Sequence, residues 1–261
     1  MELSIYQVDA FADGIFTGNP AAVIPLYEWL SDDLMRHIAM ENNLSETAFF
    51  VQKGEYFELR WFTPEEEIDL CGHATLASAH VLYEFLEYTD PVVVFETKSG
   101  RLFVDREGDL YSMDFPAWEY REIEVTERVS TALGARPAEL YMGQRDMMAV
   151  FETEEEVRAL DPDFRLVAKL DGLGLICTSP SQDYDFVSRF FVSELSIPED
   201  PVTGSAHTML VPFWADRLGK DVLTAYQASK RGGVLYCENL GGGRVKISGK
   251  AVSYMTGTIH L

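Results

Sequence analysis

The amino-acid sequence predicts an α+β protein made of two related halves. Three observations carry that expectation. Short segments rich in β-branched and aromatic residues outnumber helical ones and are interspersed with them. A hydrophobic fraction of 47%, with 12% aromatic, is enough for a substantial core. The third is a repeated pair of motifs. Arg60-Trp61-Phe62 leads through an acidic stretch with a proline to Cys71-Gly72-His73-Ala74 and a helix, and Arg189-Phe190-Phe191 leads likewise to Thr203-Gly204-Ser205-Ala206 and a helix. One repeat of half the chain length means a duplicated domain, because a solenoid needs three or more short periods. Chance likeness between short motifs is the competing explanation.

The elements follow in order. SIYQVDAF, AAVIPL, ETAFFV and FELRWF read as strands. Ser31 with two aspartates behind it is a helix N-cap and acidic first turn, opening DDLMRHIAMEN. After Gly72, HATLASAHVLYEFLE places Leu76, Ala79, Leu82, Phe85 and Leu86 in helical register and reads as an amphipathic helix. VVVFET, RLFVDRE and DLYSMDF then form a meander. The second half has strands near AELYM, MMAVF, LGLIC and DFVSRFF, a helix from about Ser205 to Leu218, and four strands from VLTAYQ onward. Gly241-Gly242-Gly243 between VLYCE and RVKIS reads as a hairpin turn. The domain boundary is expected where a strand pattern gives way to a charged connection near Pro116 to Glu124, giving domains 1–116 and 117–261. The last strand is the one element left open to a return to the first domain.

Composition excludes several classes of function. The 261 residues carry 21 Lys+Arg against 43 Asp+Glu, a formal charge of −22. Such a chain repels phosphate backbones and anionic lipid surfaces, so neither nucleic acid nor membrane is an expected partner. Cys71, Cys177 and Cys237 are odd in number and far apart, which suits a reduced compartment. The opening MELSIYQVDAF has no basic or apolar leader, and no stretch approaches the roughly 18 apolar residues of a membrane span. A cytoplasmic protein is expected.

The two glycine-led helix starts are the most informative chemical feature. The first N–H groups of a helix lack internal partners, and the helix dipole adds about half a positive charge there. Two such ends facing one cleft, at Gly72 and Gly204, would hold a carboxylate or phosphate without a lysine; the plainer reading is that both glycines simply start helices. His73, on the first turn, is expected to resist protonation beside that positive end and to act as a neutral hydrogen-bonding group. Glu46 stands just before an apolar aromatic strand, where desolvation raises a carboxylate's pKa toward that of a general base, unless it is an ordinary loop glutamate. Asp200 precedes Pro201, so it either starts a turn or positions a substrate near Gly204.

Other chemistries are poorly supported. No HExxH or comparable ligand spacing occurs, so no metal is expected. A thiol at a helix start can have a lowered pKa, which makes Cys71 noteworthy. Its counterpart in the second half is Thr203, however, so a two-thiol mechanism is not expected. VTGSAH lacks the GxSxG elbow, and neither a P-loop nor GxGxxG appears.

The motifs VDAFADGIFTGNPAAV, NLSETAFF, RWFTPEEEIDLCGHATLASAHVL, EDPVTGSAH and GTIHL occur in that order from residue 8 to the C-terminus. Together they resemble the phenazine biosynthesis PhzF-like proteins, which are similar in fold to diaminopimelate epimerase. The resemblance implies two pseudo-symmetric domains, each a curved or barrel-like sheet around a central helix, with the site in the cleft between them. It implies cofactor-free proton transfer at carbon: Glu46 as acid and base, His73 and Asp200 as its catalytic companions, and Gly72, Gly204 and Ser205 as donors to a substrate carboxylate. Asn19 of TGNP is the remaining polar residue expected at the substrate. The expected partners are a small carboxylated metabolite and a second copy of the chain in a homodimer. A non-catalytic metabolite-binding or protein-interaction protein on the same fold is the alternative.

Overall fold

Parallel neighbouring strands need long connections, and this chain supplies a helix for each of them. The computed structural model describes residues 1–192 and 198–261. It divides into two units, Met1–Asp114 with Ser248–Leu261, and Phe115–Ile247.

The first unit runs β1 (Glu2–Ala10), β2 (Asn19–Leu26), α1 (Asp32–Asn42), β3 (Glu46–Lys53), β4 (Tyr56–Phe62), β5 (Glu67–Ile68), α2 (Gly72–Phe85), β6 (Val92–Thr97), β7 (Gly100–Glu107) and β8 (Leu110–Pro116). Strand β1 is antiparallel to β2, β2 is parallel to β3 across α1, and β3 is antiparallel to β4. Strand β4 is parallel to β6 across α2, and β6 is antiparallel to β7.

The second unit contains β9 (Tyr120–Ile123), α3 (Glu127–Leu133), β10 (Glu139–Gly143), β11 (Met147–Val150), α4 (Glu154–Ala159), α5 (Phe164–Val167), β12 (Gly174–Pro180), β13 (Phe186–Val192), α6 (Gly204–Leu218), β14 (Val222–Gln227), β15 (Gly233–Gly241) and β16 (Arg244–Gly249). Its pairings repeat the alternation: β10 antiparallel to β11, β11 parallel to β12, β12 antiparallel to β13, β13 parallel to β14, and β14 antiparallel to β15. The duplication expected from the two motif pairs is therefore visible as a repeated order of strand pairings. A last strand, β17 (Ala251–His260), is antiparallel to β1 of the first unit.

Helix α2 occupies the interior of the first unit. It packs against β1, β2, β3, β7 and β17, and every residue from His73 to Leu82 is buried. The amphipathic reading of this segment is thus corrected. Phe85 and Leu86 are exposed, and the helix has no polar face over its first three turns. Small residues at Ala74, Ala77, Ser78 and Ala79 let the strands close around it. The hydroxyls satisfy themselves locally, Thr75 Oγ1 donating to the Cys71 carbonyl at 2.6 Å and Ser78 Oγ to the Ala74 carbonyl at 2.7 Å.

Helix α1 covers the opposite face of the sheet, where Met35, Ile38 and Ala39 pack against Ala22, Ile24, Phe49 and Val51. Strands covered on both faces read as continuous apolar runs, as AAVIPL does. In the second unit α6 is likewise buried from Ala206 to Val211, while Val129, Leu133, Val157 and Val167 of α3, α4 and α5 form a separate core. The charged connection expected near Pro116 to Glu124 holds a strand, β9, because backbone pairing with β10 overrides its polar composition. No helix among the described residues is long and apolar enough to cross a membrane.

Two buried histidines tie the interior helices in place. His80 of α2 meets the Tyr111 hydroxyl through Nδ1 at 3.0 Å and Ser253 Oγ through Nε2 at 2.8 Å. His207 of α6 places Nδ1 2.8 Å from the Thr203 carbonyl. Burial pushes both rings down to about 4, from 6.5. A histidine lowered in the folded state stabilises the protein above pH 6.5, and that stability is lost as pH falls toward 4. Stability should therefore drop by up to about 1.4 kcal/mol per pH unit for each ring through this window. Urea unfolding at stepped pH checks it, and His80→Gln should remove its share of the slope.

Candidate active site

Three elements of the first unit bring their N-terminal ends together. Asn19 is the first residue of β2, Glu46 is the first of β3, and Ala21 pairs with Glu46 across the parallel ladder. Gly72 and His73 begin α2. His73 Nε2 lies 3.0 Å from Glu46 Oε2. The approach is close enough for an ion pair but out of line for a hydrogen bond, so both atoms are buried with no hydrogen-bond partner. The two side chains are 7% and 12% exposed, so the pair is nearly enclosed yet reachable along the glutamate. On the other edge of the ring, Nδ1 lies 3.2 Å from Asn19 Nδ2 and 3.5 Å from Cys71 Sγ.

The electrostatics differ from the sequence expectation for His73. Burial alone lowers its pKa, but Cys71 and the Glu46 carboxylate raise it, and the balance lies well above an ordinary histidine. The direction runs against the expectation of a neutral ring held down by the helix end, because Cys71 and the Glu46 carboxylate in contact outweigh burial and a terminal dipole. The Asn19 contact suits a ring that accepts at Nδ1; once protonated there, the ring would draw the amide oxygen instead. Cys71 goes the opposite way from a typical helix-start thiol. Burial and the neighbouring Glu46 push it up, which keeps it protonated.

The second unit carries the equivalent helix start. Asp200 Oδ2 accepts from Thr203 Oγ1 at 2.5 Å, and Gln227 braces the same turn. The Gln227 Oε1 accepts from Thr203 N at 2.8 Å, and its Nε2 donates to the Asp200 carbonyl at 2.8 Å. Gly204 and Ser205 begin α6. Four helices have side-chain caps at their first turns, from Ser31, Thr126, Thr153 and Asp163, whereas α2 and α6 have none. At α2 the N-cap is Cys71, whose thiol faces His73; at α6 it is Thr203, whose hydroxyl is taken by Asp200.

Sequence reasoning missed Arg145. Its guanidinium donates to Ser205 Oγ at 2.9 Å, is held by the buried Asp146 carboxylate at 3.0 Å, and lies over the Trp118 ring at 5.0 Å. The one signal was the charged pair Arg145-Asp146 in a short hairpin ahead of an apolar strand, and such pairs are common in turns. Gln227 left no signal at all. Glu46, Cys71 and His73 also form a group of potential metal ligands, with ligand atoms all within 4.8 Å of one another, although no spacing in the sequence announces it.

The family model for phenazine biosynthesis-like proteins matches residues 8–257. The chain belongs to this family. A Pseudomonas aeruginosa relative called an uncharacterized isomerase is 52% identical over 261 residues, with 100% of both chains covered. The crystal structure of a PhzF-family phenazine biosynthesis protein from Enterococcus faecalis superposes with a TM-score of 0.97 at 46% identity, again over 100% of each chain. A predicted epimerase from Pseudomonas aeruginosa shares the fold alone, at 20% identity, 99% coverage of both chains and a TM-score of 0.77. The α+β, two-domain, diaminopimelate epimerase-like fold expected from the motifs is the fold of this family member.

The TGNP stretch has a steric reason to hold glycine. Gly18 sits at φ +68°, and a Cβ there would fall 2.3 Å from the Ala10 carbonyl oxygen and 2.8 Å from Ala12 Cβ. A side chain at this position would push the next residue, Asn19, off His73. Gly18→Ala should cost about 1–3 kcal/mol of stability, measured by urea unfolding.

Proposed function

We propose that the chain is a cofactor-independent isomerase that moves a proton between carbon atoms of a small carboxylated metabolite. The isomerase names of close relatives support the reaction class. The observation that carries the mechanism is the Glu46–His73 pair: a nearly enclosed carboxylate oxygen, lacking any hydrogen-bond partner, beside the uncapped start of a buried helix.

In this reading the Glu46 carboxylate takes a proton from a C–H beside a conjugated carboxylate. The electron pair left on carbon delocalises toward that carboxylate as enolate-like charge. Glu46 then returns the proton to a different carbon, so nothing is consumed and no outside acid is needed. The backbone N–H groups at Gly72 and the His73 ring stabilise the developing charge, an effect that fixed donors in a dry site make worth several kcal/mol. With its pKa raised above the ordinary range, His73 can offer Nε2–H to a substrate oxygen when one arrives beside Glu46. Asp200 and Ser205 are assigned to substrate orientation, as is the Gly204 N–H.

The test is proton exchange. With a substrate found by screening carboxylated metabolites for thermal stabilisation, wild type in D2O and excess chelator should exchange or relocate a carbon-bound proton. Glu46→Gln should bind the same compound and lose at least about 10²–10⁴-fold in exchange. Near-wild-type exchange in folded Glu46→Gln would remove Glu46 from its role, and stabilisation without exchange in the wild type would favour a binding protein.

The thiol gives an independent check. A neutral, buried Cys71 with no partner thiol is not needed as a base, so Cys71→Ser should keep a substantial part of the exchange rate. Loss of exchange in a well-folded Cys71→Ser protein would transfer the base role to sulfur.

A further inference from the structure

Thiol, imidazole and carboxylate together are the donor set of a zinc-type site. Glu46, Cys71 and His73 form the one group of three such side chains among the described residues whose ligand atoms lie within 4.8 Å of one another. Cys71 Sγ is 3.5 Å from His73 Nδ1, and His73 Nε2 is 3.0 Å from Glu46 Oε2. Two of the polar atoms, Glu46 Oε2 and His73 Nε2, are buried without hydrogen-bond partners, so an ion bound at those atoms displaces their mutual contact alone. Metal–ligand distances of 2.0–2.3 Å set the edges of a tetrahedral site at about 3.3–3.8 Å. The thiol and the carboxylate face different nitrogens of the ring, so closing the three groups on one ion takes side-chain movements of up to about 1–1.5 Å.

We propose that this group captures a thiophilic divalent cation of the zinc class, and that the captured ion inhibits the protein. The ion takes Cys71 Sγ, one imidazole nitrogen of His73 and a Glu46 carboxylate oxygen, leaving its fourth position to water. The thiol's proton and the proton on the ligating imidazole nitrogen pass to solvent as the bonds to the metal form, with no change of oxidation state. Inhibition follows because the ion occupies the carboxylate oxygen that acts as base. That consequence rests on the isomerase reading; binding of the ion does not. The chain's 43 acidic residues offer other places for a cation, but none of those brings sulfur, so the sulfur ligand discriminates this site.

The experiment uses the full chain, reduced and stripped with a chelator, titrated with Zn2+ by calorimetry and with Co2+ by absorption. One equivalent should bind saturably. Cobalt should show a thiolate-to-metal charge-transfer band in the near ultraviolet, and Cys71→Ser should lose the band and bind at least about tenfold more weakly. Cys71→Ala, checked by circular dichroism, replaces the serine variant if that one fails to fold. Absence of a saturable equivalent, or the same affinity and spectrum without the thiol, overturns the proposal. The readouts need no substrate, so an incorrect isomerase assignment leaves them unaffected.

Discussion

A helix sealed inside a sheet has to start somewhere, and the free N–H groups at that start are the constraint on which this structure turns. At α2 and α6 no side chain caps the first turn, whereas the four peripheral helices all use a Ser, Thr or Asp for that purpose. Unmet donors at a buried helix end are costly unless water or a ligand meets them. The residues that would otherwise cap are engaged in holding functional candidates: Cys71 lies against His73, and Thr203 donates to Asp200. Peripheral helices therefore carry caps that stabilise them, while the interior helices present donors that suit an anionic ligand.

The same interior helices explain why the strands look as they do. Parallel crossovers place α1 on one face of the first sheet and α2 on the other, so β2 and β3 bury both faces and lose polar alternation. Their N-terminal ends, where Asn19 and Glu46 sit, lie beside the start of α2 because parallel neighbours share a direction. The topology thus delivers an amide, a carboxylate and an imidazole to one place, from residues 19, 46 and 73. Gly18 is part of that delivery: its left-handed backbone and lack of a side chain let β2 begin directly after the turn.

Much of this was legible in the sequence, for local reasons. Ser31 with its two aspartates marked the start of α1, and the structure has the Ser31 side chain accepting from Leu34 N. Gly72 and Gly204 marked both interior helices, and the Gly241-Gly242-Gly243 run forms a turn in which all three take positive φ. What escaped depended on distance or enclosure. An interior helix has no polar face, so the apolar spacing of Leu76, Ala79 and Leu82 suggested one where the structure has none. Arg145 meets Ser205 across 60 residues of chain, and Gln227 meets Thr203 across 24. The protonation of His73 is a sum over neighbours from two elements, which no first-turn rule anticipates.

Charge gives the arrangement its last constraint. A chain with a formal charge of −22 sets up a field that opposes the approach of an anionic metabolite. That field is screened over about 8–10 Å at physiological salt, whereas helix-end dipoles and hydrogen-bond donors act within the first turn and at contact. Under the proposed function, recognition of a carboxylate would therefore fall to short-range groups. Two basic groups at the helix starts are individually braced: His73 against Glu46, and Arg145 between Asp146 and the Trp118 ring. Bracing each cation with a carboxylate removes net charge but fixes direction, so the donors remain aimed without attracting anions at large. A site built this way selects by geometry at contact, consistent with a chain that has so little positive charge to spare.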